Sequence, residues 1–176
     1  DDIVADYLLV SASLGGGNDD LTVTGAGGND IGLTVDGGGD NDIVRLIDGT
    51  NNTLTVTAVE SVEGGAMNDD VTVTDTAIEA VILGNGENTL TFEDGTALTA
   101  AVTVTGGTDN DFVNVDLTED LAFTLDADFT GIERLNIVDK DLPDTSGDGF
   151  DVGITVDAAF DNGNAMLFDA SSLDAG

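Results

Sequence analysis

The chain has no cysteine, no histidine and no tryptophan, one proline, and three basic residues in 176. Without cysteine no disulfide holds it together, and redox state says nothing about its compartment. Without histidine or cysteine there is no Ser-His-Asp or Cys-His nucleophile and no ordinary zinc site. Gly-x-Gly-x-x-Gly and Walker spacings are absent, so the glycines do not read as phosphate cradles. No run is long and apolar enough to cross a membrane as a helix. Arg45, Arg134 and Lys140 face 36 acids, for a formal net charge of −33. Binding nucleic acid or an anionic membrane requires clustered Lys and Arg, so both are excluded as partners.

What is present argues against the disorder that such a charge suggests. Apolar residues make up 40% of the chain and fall in β-branched alternation, which disordered acidic tails lack. A salt-adapted surface would explain the charge but not its placement. Only Glu60, Glu63, Glu79, Glu87, Glu93, Glu119 and Glu133 are glutamates; the other acids are aspartates, many beside glycine. Aspartate is a short, turn-favouring oxygen ligand, the type hard cations take. The chain opens on Asp1-Asp2 with no initiator Met or signal peptide and reads as a mature chain or an excised piece.

One unit recurs. Gly64-Gly65-Ala66-Met67-Asn68-Asp69-Asp70-Val71-Thr72-Val73-Thr74 joins a glycine turn, an Asn-Asp pair and a short alternating strand. Versions lie at 15–24, 25–35, 37–46 and 106–115, with weaker ones at 48–56 and 84–92. A repeated turn and strand is the signature of a solenoid. Glu60 and Glu79 stand 19 residues apart, as do Asp69 and Asn88, and the step from Asn88 to Asp111 is 23. The expected fold is therefore all-β, a right-handed parallel β-helix with coils of about 19–23 residues. The closely spaced turns near the N-terminus then fall twice per coil. Valines point inward and threonines outward. Apart from Tyr7 every aromatic lies after residue 91, which implies wider C-terminal coils. Residues 1–140 read as the β-helix, and 141–176 as an irregular last coil, a cap or a link to a following segment.

The turns are the candidate sites. Calcium takes six to eight oxygens, and stacked tight turns supply carbonyls and carboxylates. Asn-Gly-Asp turns that hydrogen-bond only to themselves are the alternative. Gly25-Ala26-Gly27-Gly28-Asn29-Asp30 and the unit at Gly64 resemble degenerate RTX nonapeptides, Gly-Gly-x-Gly-x-Asp-x-apolar-x, of secreted bacterial proteins. The resemblance implies carboxylate ligands at Asp19, Asp30, Asp42, Asp69 and Asp111. Asn18, Asn29, Asp40, Asn68 and Asp109 accompany them in the same turns. Asp40, Met67 and Asp109 stand where the family has its fourth-position glycine, and the nine-residue spacing is lost. Asp144-Thr145-Ser146-Gly147-Asp148-Gly149 matches the start of an Asp-x-Ser-x-Asp-Gly calcium loop, with Asp144, Ser146 and Asp148 as ligands.

The whole is similar in character to the RTX-like β-helical part of bacterial surface-layer proteins. That resemblance implies an extracellular or cell-surface, secreted bacterial structural protein that binds several calcium ions. It implies self-assembly into a layer or filament, with cell-surface polysaccharide as a further partner. A spacer segment of a long RTX-type adhesin is the nearest alternative. A carbohydrate-active β-helix enzyme is another, but the bases are scattered and no carboxylate pair stands out, so no enzyme is expected. Threonine ladders on flat β-solenoids resemble ice-binding faces. Varying coil lengths imply a ladder that does not stay flat, which leaves outward threonine as the default of a solvated strand.

Overall fold

A computed structural model describes residues 1–6, 8–24, 31–47, 49–99, 102–117, 120–125, 128–139, 152–156 and 166–170. The strands of the N-terminal half are β1 (Asp2–Asp6), β2 (Ser11–Gly16), β3 (Asp20–Thr24), β4 (Ile31–Gly39), β5 (Ile43–Ile47), β6 (Asn52–Thr57), β7 (Ser61–Glu63) and β8 (Asp69–Val73). Those that follow are β9 (Ala80–Ile82), β10 (Thr89–Phe92), β11 (Thr103–Thr105), β12 (Phe112–Leu117), β13 (Leu121–Leu125), β14 (Phe129–Thr130), β15 (Arg134–Asp139), β16 (Val152–Val156) and β17 (Leu167–Asp169). A single 3-10 turn, Gly95–Thr99, interrupts them among the described residues.

Through β12, odd and even strands part into two sheets. The first runs β1-β3-β5-β7-β9-β11-β14 and the second β2-β4-β6-β8-β10-β12-β15-β17; β13 and β16 form a third pair. Among the described residues every pairing is parallel, each strand lying on its equivalent in the next coil. Most strands have six residues or fewer and could not stand alone in water, but stacked coils bury a continuous core. The fold is thus the expected parallel β-solenoid.

Period-two alternation builds that core. In the first sheet Leu21, Val44, Val62, Val81 and Val104 stack in one column, all fully buried. In the second, Leu33, Leu54, Val71, Leu90, Val113 and Leu135 do the same. Each such side chain contributes roughly 1.5–3 kcal/mol of burial. Phe92, Phe123 and Phe129 enter the core only in the C-terminal half. Coil length does not rise steadily along the chain: 23 residues separate Asp20 from Ile43, 17 separate Asn52 from Asp69, and 25 separate Thr105 from Thr130.

The variable lengths are taken up at the corners, not within the strands. From β4 through β6, β8 and β10 the register is one-to-one with no bulge. The threonine ladder of the second sheet is therefore in one-to-one register across coils of unequal length. Beyond residue 140 pairing continues, β16 on β13 and β17 on β15, so the stack reaches Asp169.

Candidate functional site: the carboxylate corners

Each coil turns a glycine-rich corner before entering a strand, and the Asn-Asp pairs sit there. The second member is drawn inward at the head of the alternating strand: Asp42 and Asp111 are fully buried, with Asp69 and Asp19 nearly so. A buried carboxylate is stable only with hydrogen-bond donors around it. The donors are backbone amides of the coil before. Asp42 Oδ1 accepts the Asp19 N–H at 2.9 Å. Asn88 Oδ1 accepts the Asp69 N–H at 2.8 Å. Asp111 Oδ1 accepts both the N–H and the side-chain Nδ2 of Asn88, at 3.1 and 2.8 Å. Asn52 Nδ2 donates in turn to Asp69 Oδ1.

The second oxygen reaches back into its own turn. Asp69 Oδ2 accepts the Gly65 N–H at 2.8 Å and Asp111 Oδ2 the Gly107 N–H at 2.6 Å. This cradle requires glycine one position earlier. A Cβ on Gly64 or Gly106 would stand 2.7 or 2.6 Å from the carboxylate and would strike a backbone carbonyl of the following coil, that of Leu83 or Gly131. The Gly-Gly of the repeat is therefore explained by coil-to-coil approach as well as by turn geometry.

Two corners close with glutamate. Glu60 Oε2 accepts the Asp42 N–H at 2.7 Å and Glu133 Oε2 accepts the Asp111 N–H at 2.8 Å. Neither was a candidate from sequence, although Glu60, with Glu79, had marked the period. The corner residues thus form two columns. Asp19, Asp42 and Glu60 lead into the first sheet, and Asp69, Asn88, Asp111 and Glu133 into the second.

At the exposed rim the remaining candidates repeat the device. Asp40 Oδ2 accepts the Gly17 N–H and Asp109 Oδ2 the Gly86 N–H, each at 3.2 Å. Asn18 Oδ1 accepts the Asn41 N–H at 3.2 Å and Asn68 Oδ1 the Glu87 N–H at 3.0 Å. Asn29, Asp30, Asp144, Ser146 and Asp148 lie outside the described residues.

The columns differ in saturation. Both oxygens of Asp69 and of Asp111 hold N–H donors. Asp19 and Asp42 each bury an Oδ2 that has no hydrogen-bond partner. Burial pushes the Asp42 carboxyl above the ordinary aspartate value, against the Asp19 N–H, and the neighbouring Asp19 and Asp40 charges add to the rise. Burial likewise raises Asp111, offset in part by its bonds from Gly107 and Asn88. Cations of the protein's own are scarce: Arg45 ties Asp20 to Glu63 across neighbouring coils, and Arg134 holds Asp169 at 2.6 Å.

Chemically, saturated corners stitch one coil to the next, while an unsaturated carboxylate pair has oxygens to offer a hard cation. Among the described residues no three or more acidic side chains converge as a metal cluster. No helix there is long and apolar enough to cross a membrane. The chain matches no protein-family model, no curated protein and no solved structure.

Proposed function

We propose that this chain is an extracellular structural β-solenoid, stabilised by calcium, whose rods join end to end into a filament or surface layer. The observation that carries the reading is the parallel stack with buried, partnerless oxygens of Asp19 and Asp42 in adjacent coils. The outer edges of β1 and β2 at one end, and of β14 and β17 at the other, pair with no strand among the described residues. Apolar side chains stand exposed there: Val4, Leu8 and Val10 at the first end, Leu167 and Phe168 at the second, with Val156 of β16 nearby. Such an edge accepts a further coil, whether of the same chain or of another copy.

Calcium is supported at one corner in particular. The unsatisfied Oδ2 atoms of Asp19 and Asp42 occupy the same place in adjacent coils, where a divalent cation would offset both burial and mutual repulsion. Asp69 and Asp111 fit a ligand role less well, their oxygens being engaged by N–H donors. The cation would supply charge neutralisation and a bridge between coils; the chain supplies the carboxylates and the glycine backbone around them.

The test uses the chain with calcium or EGTA, read by circular dichroism and light scattering. Calcium should raise the melting temperature and promote particle growth. A site at a hundred times its Kd adds about 2.7 kcal/mol. A melting temperature indifferent to EGTA removes calcium from the reading. A strict monomer in calcium favours a spacer rod whose ends do not meet, which the coil-to-coil bonding would serve equally well.

A further inference from the structure

In a chain of net charge −33, one face carries a nearly neutral array of hydroxyls. On the outer side of the second sheet Thr34, Thr55, Thr72 and Thr91 stack in one column, in register through four successive coils. Ser11 precedes them, and Asn114 and Asn136 continue the column. Thr53 and Thr89 flank it on one side, with Asp70 between them. Thr57 and Thr74 flank it on the other, their hydroxyls 2.6 Å apart.

Strand geometry fixes the dimensions. Neighbouring coils repeat at about 4.8 Å, and residues i and i+2 along a strand at about 6.7 Å. Threonine has few χ1 states, and here Thr74 Oγ1 also donates to the Val56 carbonyl at 3.1 Å. The array is thus a stiff lattice of oxygens alternating with methyl groups, held by an unbulged sheet. Hydroxyls anchor water, and the methyls between them restrict the orientation of the rest of the first shell. Charges, which would organise water around themselves, surround the threonines: Asp36, Asp70 and Glu93 flank them, and Arg134 and Asp169 lie on the same face beyond Asn114. The two repeats are close to oxygen–oxygen repeats on the prism faces of hexagonal ice. A sugar polymer would call for aromatic platforms, and Phe112 is the one aromatic on this outer face among the described residues.

We propose that the threonine face of the second sheet binds ice, through a layer of water ordered on its hydroxyl and methyl lattice. The proposal is independent of calcium assembly and of what the ends of the rod do. It predicts an effect of the face as a unit, lost when its centre is spoiled and strengthened when its gaps are filled.

The experiment measures inhibition of ice recrystallisation and retention on an ice surface, with circular dichroism confirming the fold of each variant. Thr72→Lys should require about tenfold more protein for equal inhibition, a loss of ~1.4 kcal/mol. Thr103→Lys, on an exposed position of the opposite sheet, should leave inhibition unchanged. The double variant Asp70→Thr, Glu93→Thr fills the two acidic gaps in the three central coils and should lower the required concentration. The proposal is overturned if the parent chain leaves ice crystals to coarsen as in buffer. It is equally overturned if Thr72→Lys and Thr103→Lys behave alike while folded, or if the face retains insoluble polysaccharide and not ice.

Discussion

Asp42 separates the two roles that a corner carboxylate can play. Its Oδ1 accepts the Asp19 N–H at 2.9 Å, while its Oδ2 is buried with no partner. Asp42→Ala removes the acceptor and leaves a buried amide unsatisfied, at a cost of about 1–3 kcal/mol. At about 2–4 °C per kcal/mol for a chain of this size, melting should fall by roughly 5 °C. Asp42→Asn keeps the acceptor and removes a buried charge that lacks a counter-ion. Asn88 shows that the amide fits such a corner, its Oδ1 taking the Asp69 N–H at 2.8 Å. In EGTA, Asp42→Asn should therefore melt at or slightly above the parent temperature. In saturating calcium the order reverses, because the parent gains about 2.7 kcal/mol per occupied site and the Asn variant loses that site's share. Thermal unfolding of three proteins in two buffers settles the matter. If Asn is as damaging as Ala in EGTA, the acceptor argument fails; if calcium lifts Asn as much as the parent, the cation does not bind here.

Two further expectations follow from the corners. Gly64→Ala should lose about 1–3 kcal/mol or more by overpacking, since its Cβ meets the Leu83 carbonyl and stands 2.7 Å from Asp69 Oδ2. Gly16→Ala, with nothing within 4 Å, should change little, so equal urea midpoints for the two variants would refute the close-approach account. Asp42 and Asp111 are both raised by burial, so folding takes up protons at these groups and their ionisation costs stability as pH rises through the folded pKa. In EGTA, melting should rise as pH falls through the raised folded pKa of these groups, with a shallower slope in Asp42→Asn; a fall there would count against buried, raised carboxylates.

The solenoid was legible because its signals are local and repeated. Val71-Thr72-Val73-Thr74 states a strand and its inner face, and the 19-residue offset shared by Glu60–Glu79 and Asp69–Asn88 states the coil. Both offsets are registers of the structure, Ser61 lying on Ala80 and Asp70 on Thr89. The partners of the corner acids were not legible, because hydrogen bonds between coils join residues 17 to 23 positions apart through corners of unequal length. Glu60 and Glu133 escaped notice for a related reason. A longer side chain fills the same place from a turn that carries no Asn-Asp pair. Nor could coil length alone say whether the threonine ladder keeps its register, since insertions at a corner leave the strands aligned.

These features share one physical cause. A parallel solenoid satisfies its strand amides by stacking, but each corner brings amides that no strand pairs. Water could serve them only at the surface; the inward residue at the head of a strand needs an acceptor that travels with the coil. An Asp, Asn or Glu in the next coil provides it, which is why the three interchange along one column while the Gly before Asp42, Asp69 and Asp111 does not. Where the carboxylate's second oxygen also finds an amide, as at Asp69 and Asp111, the corner is complete without a cation. Where it does not, as at Asp19 and Asp42, a buried oxygen is left without a partner. Dependence on calcium should accordingly be concentrated in the N-terminal coils. Hydrogen exchange in EGTA should open β3 and β5 before β8 and β10, and uniform loosening along the rod would contradict this division.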